Sequence, residues 1–316
     1  MPARWKQRLR GGATWAGRIF SVVAAAAVAV YLVRMRVWRT VHFDDPLLYA
    51  ALAAAVAIYA AGMLALGYGW LRWLRAAGGA PFSALTGVVI YSRSQIAKYI
   101  PGNVFHFVAR QALGNRLGAP HPALLLSSAA ETAALVTVAC ALTAFGDALP
   151  APFPRIPRAA AFALGLACLA AAIPLSAWLA RRDPVRRSAA RRSLDTLFTL
   201  LFYVPFFAGN GLCLALLLSL HQAADAPSLR VLVGIWSICW LAGYLVPGSP
   251  GGLGVREAAL LYALSGWVGR PEALVLAAEM RLVSTCGDVV LWLASFAGNS
   301  AIAPAHAPAP PGYQRA

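Results

Sequence analysis

The stretch Gly243–Leu264 reads GYLVPGSPGGLGVREAALLYAL. Two prolines, Pro247 and Pro250, and four glycines, Gly248, Gly251, Gly252 and Gly254, fall within eight residues, and Arg256 and Glu257 follow directly. Proline removes a backbone donor and glycine weakens helical order, so no regular helix runs through this point. Long apolar segments lie on both sides. If those segments sit in lipid, the freed backbone groups must be satisfied by protein or by water in a cavity.

Composition places them in lipid. The chain is 60% hydrophobic and 12% charged, whereas a soluble domain carries about a quarter charged residues. The expected class is an all-α polytopic membrane helix bundle. The formal net charge of +16 does not indicate nucleic acid, because no recognition module accompanies it. Instead the basic residues are grouped beside apolar stretches: Arg4, Lys6, Arg8 and Arg10 before the first, and six arginines in ARRDPVRRSAARRS between two others. Cytoplasmic segments read this way. The five cysteines are odd in number, form no CxxC pair and lie in apolar runs, so neither a metal site nor a disulfide framework is expected, and no cofactor motif is visible.

Apolar stretches of about 20 residues or more, the length needed to cross a bilayer, occur near 17–37, 47–71, 122–145, 158–180, 196–220 and 272–297. Two more, 82–118 and 229–268, are interrupted by proline and glycine, giving about eight membrane segments. The basic lead before residue 17 predicts an uncleaved first span, with residues 1–16 as a cytoplasmic segment. Placing 1–18 and 181–195 inside also puts Arg72 and Arg75 inside and leaves the loops 146–157 and 221–228 outside. The loop 34–46, with Arg34, Arg36 and Arg39, disagrees with this pattern. By parity, 82–118 enters and leaves on one face, as two spans or as one re-entrant hairpin broken at YIPGN. The stretch 229–268 does the same from the other face, broken at LVPGSPGG.

The two interruptions resemble each other. Tyr99 precedes Pro101-Gly102, and Tyr244 precedes Pro247-Gly248; Glu131 follows Pro101 by 30 residues, and Glu279 follows Pro247 by 32. The chain therefore divides into two copies of span, span, broken hairpin, span, at about 17–145 and 158–297. The first copy begins inside and the second outside. This is an inverted-topology repeat, a plan that places sites near the bilayer midplane.

The segments KYIPGNVFHFVAR (Lys98–Arg110), SSAAETAAL around Glu131, and PGSPGGLGVREAAL (Pro247–Leu260) together resemble the lysylphosphatidylglycerol synthase transmembrane-region family, also called flippase-like. The resemblance in span pattern covers most of residues 15–300, the expected flippase-like domain (17–300). It implies a bacterial inner-membrane protein concerned with moving phospholipid across the bilayer; the arginine distribution places both termini in the cytoplasm. The Pro/Ala-rich tail 301–316 is expected to be disordered, so lysyl transfer is not implied. Thr132 stands where many relatives have a basic residue, which weakens an internal ion pair at Glu131.

Ionisable side chains within spans are costly and face cavities or partners. Asn103, His106 and Arg110, at i, i+3 and i+7, share one helical stripe that could line a headgroup groove; the alternative for Arg110 is snorkelling to the interface. Lys98 lies one turn from the first break, and it and Arg93 could instead be interfacial anchors. Arg256 is the leading phosphate contact because a guanidinium offers donors in a fixed fork. The helix after Gly254 would aim N–H groups at the same anion, and Gly251 and Gly252 would allow close approach. Glu257 caps that helix, holds Arg256 or binds a proton. Glu131, Glu279, Arg281 and Asp288 are intramembrane charge partners. Trp5, Trp15, Trp38, Trp70, Trp73 and Trp267 read as interfacial belts.

The expected function is binding and translocation of an anionic phospholipid or lipid-linked phosphate, with no catalytic residue assigned. Two other classes stay open. One is a membrane-embedded transferase, for which only Glu257, His106 and Glu131 could serve as base or nucleophile. The other is a non-transporting partner of a synthetase or glycosyltransferase, docked through the Arg-rich loop 181–192. A second copy of the chain, as a homo-oligomer, is a further candidate partner.

Overall fold

The computed structural model of the chain describes residues 46–100, 104–146, 189–221, 227–246 and 249–297, with isolated positions at 159, 160, 163 and 167. The expected spans 17–37 and 158–180, the N-terminal segment, the tail and most of the 181–192 loop lie outside the described residues. So do Pro101, Gly102, Asn103, Pro247 and Gly248. The described residues are helical, with no strand among them.

Helix α1 (Pro46–Ala76) begins on proline, which suits the first turn because its missing N–H would be unbonded there anyway. It ends at Gly78 (φ +71°), where Gly78 N–H donates to Arg75 O and Gly79 N–H to Leu74 O. Ala55, Tyr59, Met63, Leu66 and Trp70 follow one another at helical spacing and are buried, whereas Leu47, Tyr49 and Leu64 are exposed. Such apolar outward faces recur at Leu125, Phe145, Val290, Leu293 and Phe296. They are what lipid, not water, would cover.

Helix α2 (Ala84–Gln95) starts at Ser83, whose hydroxyl accepts from Thr86 N–H at 3.1 Å. It runs into a 3₁₀ turn, Ile96–Tyr99, just before the first Pro-Gly. Helix α3 (Phe105–Arg116) resumes beyond the break and closes at Gly118 (φ +88°). Then come α4 (His121–Phe145), α5 (Ala189–Leu201), α6 (Val204–Leu218) and α7 (Leu229–Leu245). The second break contains the 3₁₀ turn Pro250–Gly252; α8 (Val255–Val268) and α9 (Arg270–Ala297) follow, joined at Gly269. Among the described residues three segments, Pro46–Ala76, His121–Phe145 and Leu194–His221, are long and apolar enough to cross a membrane. They match the expected spans at 47–71, 122–145 and 196–220.

The arms on either side of each break pack together, α2 on α3 and α7 on α8. The packing between the two sets is reciprocal: α4 lies against α7, and α9 lies against α2. The two 3₁₀ turns touch, so both breaks meet at one place in the bundle. Close helix crossings use glycine. A methyl group on Gly62 of α1 would sit 2.9 Å from Phe206 Cα of α6, and one on Gly146 would sit 2.8 Å from Gly234 Cα of α7. Small residues at crossings are a feature of membrane helix packing.

Candidate functional site

Where the breaks meet, a partly open cavity is found. Lys98, His106, Arg110, Gly251, Gly252 and Arg256, all expected from the sequence, line it. Tyr244, noted before the second Pro-Gly, lines it too, as do Tyr59, Tyr91, Gln95 and Trp240, which were not singled out in the sequence. Gly254 and Glu257 lie at the start of α8, behind the lining.

Three cations at the cavity are matched by carboxylates. Lys98 Nζ lies 2.6 Å from Asp288 Oδ2. Tyr99 donates to the same oxygen at 2.6 Å and Tyr59 to Oδ1 at 3.1 Å. Thus α1, the first 3₁₀ turn and α9 converge on one acid. Arg110 pairs with Glu131 of α4; its guanidinium also lies over Tyr91 (4.1 Å) and Trp70 (5.1 Å), and Tyr91 donates to Glu131 Oε1 at 2.7 Å. Arg281 Nη1 donates to Gly251 O at 3.1 Å and reaches Glu257 Oε1 at 3.4 Å. The other oxygen of Glu257 accepts from Gly254 N–H at 2.6 Å, so this acid caps α8.

Arg256 is different. It makes no hydrogen bond or ion pair with any described residue, and its Nε is buried without a partner. Its guanidinium lies 5.4 Å from the ring of Trp236. His106 Nδ1 is likewise buried and unbonded among the described residues, and Gln95, only 6% exposed, lines the cavity.

Several expectations need correction. Arg110 does not snorkel: it is 1% exposed and bound to Glu131, because a paired guanidinium packed on two rings is satisfied inside. Thr132 does not prevent that pair; its hydroxyl bonds Tyr244 across to α7 at 3.0 Å. Trp70 and Trp73 are not lipid-facing belt residues but are buried in the bundle. Glu279 takes no part in the cavity and pairs with His221 at 3.3 Å. Arg93 bonds Ser295 near the end of α9. Among the described residues, no three metal-ligating side chains gather at one point.

No family model matches the chain, and no curated protein matches it either.

Proposed function

We propose that the protein is an integral membrane protein that binds an anionic phospholipid or lipid-linked phosphate in this cavity and carries it across the bilayer. The observation behind the reading is Arg256, a cation with no partner among the described residues, on the wall of a cavity where two helix breaks meet. A half-buried guanidinium whose Nε is shut away without a partner is costly unless an anion or water completes it. Its two-pronged donor face suits phosphate oxygens, and the positive end of the α8 dipole lies beside it.

The arms of the first broken pair support a re-entrant reading. Helices α2 and α3 have 12 residues each, about 18 Å at 1.5 Å per residue, against a hydrocarbon core of about 30 Å. Arms this short enter from one face and return to it. Reciprocal packing of α4 on α7 and α9 on α2 supports the inverted repeat, as does the placement of Arg110 and Arg256 nine residues beyond Pro101 and Pro247. The flippase-like resemblance points the same way and carries the assignment to a bacterial inner membrane; the arginine distribution carries the cytoplasmic placement of the termini.

The experiment is reconstitution of purified protein into liposomes with fluorescent phospholipids of varied headgroup. Transbilayer movement faster than in empty liposomes is expected for an anionic lipid. Rates equal to empty liposomes across the panel would defeat the reading.

A further inference from the structure

We infer that the cavity takes a phosphodiester bearing one negative charge in preference to a phosphomonoester bearing two. This rests on the lipid-phosphate reading and narrows it.

Lys98, Arg110 and Arg281 each have a carboxylate within ion-pair distance, namely Asp288, Glu131 and Glu257. Those acids are committed further. Asp288 also accepts from Tyr59 and Tyr99, Glu131 accepts from Tyr91, and Glu257 accepts from Gly254 N–H. None of these cations can turn to a ligand without leaving a buried carboxylate unpaired. Arg256 alone, among the described residues at the site, is a cation without a carboxylate.

A phosphodiester shares a single charge over two non-bridging oxygens, which a guanidinium meets with two parallel hydrogen bonds. His106 Nδ1, buried without a partner among the described residues, and Gln95 on the cavity wall remain for the ester oxygens or headgroup. A phosphomonoester adds a third charged oxygen and a second charge. Among the described residues no second unpaired cation faces it, and an uncompensated charge in a low-dielectric cavity is strongly disfavoured.

The test compares two lipids that differ by one methyl group. Full-length protein in maltoside micelles is titrated with phosphatidylmethanol or with phosphatidic acid of the same acyl chains. The pH is about 8, well above a phosphomonoester second pKa of about 6. Phosphatidylmethanol is expected to bind at least tenfold tighter. Equal affinity, or tighter binding of phosphatidic acid, overturns the inference. Gln95→Lys adds a cation to the wall and is expected to narrow or invert the ratio; an unchanged ratio also overturns it. Should that variant not fold, Arg256→Gln is used: at least tenfold weaker phosphatidylmethanol binding is expected, and unchanged binding is the overturning result. Dimethyl phosphate separates the two readings. If it binds as tightly as the lipid, the charge preference stands and the lipid reading falls; if neither lipid binds, both fall.

Discussion

Lys98 and Asp288 lie 2.6 Å apart, tying the turn after α2 to the middle of α9. The carboxylate is fully buried and also receives Tyr59 and Tyr99. Removing one member of a buried pair leaves the other charge uncompensated, at a cost of about 3–5 kcal/mol. Asp288→Ala is therefore expected to lower the thermal midpoint in detergent markedly. The double variant Lys98→Met/Asp288→Leu should recover much of that loss. A double variant as unstable as the single one would show that the charges are not coupled.

Arg256 carries the opposite expectation. Its charge is unpaired among the described residues, so Arg256→Gln should leave the midpoint unchanged or raise it. Lipid transport in liposomes should fall at least tenfold, which is about 1.4 kcal/mol. Arg256→Lys keeps the charge but loses the fork and should fall between the two. Loss of stability in parallel with transport would mark Arg256 as a packing residue.

Gly254 sits at φ +82° immediately before α8 and presents its N–H to Glu257. A side chain in this region of backbone space costs about 1–2 kcal/mol. Gly254→Ala is expected to lower the midpoint, whereas Ala258→Gly, inside α8, should cost about 1 kcal/mol or less. Equal effects would mean that the turn tolerates another geometry.

The proposed orientation is checked separately by reporter fusions. A fusion at position 185 should report a cytoplasmic location and one at 224 an external location. The reverse pattern would invert the assignment of the basic loops.

Much of the site was legible because charge and Pro-Gly punctuation stand out against an apolar background. Lys98, Arg110 and Arg256 were recognisable by proximity to the breaks, and all three line the cavity. The pairings were not legible, because they join segments far apart in the chain. Asp288 could be recognised as an expensive charge, but nothing local connects it to Lys98. Tyr59 and Tyr91 escaped notice because a tyrosine in an apolar span has the same spacing whether it faces lipid, core or cavity. Trp70 was misread for a related reason: nearness to a span end marks depth in the bilayer, not which side of the helix a ring occupies. Glu279 was aligned with Glu131 by its spacing from proline, yet its neighbour is His221, a residue near a loop whose contact depends on how α6 meets α9.

The bonding of Tyr99 to Asp288 spans 189 residues of chain. At a translation rate of about 5–20 residues per second, the first break waits about ten to forty seconds for its acid to be synthesised. During that interval Lys98 lacks its native counter-charge, Asp288. Maturation of the first broken pair is thus timed by the arrival of the final helix, and truncations that remove α9 should fail at a locus far upstream of the cut.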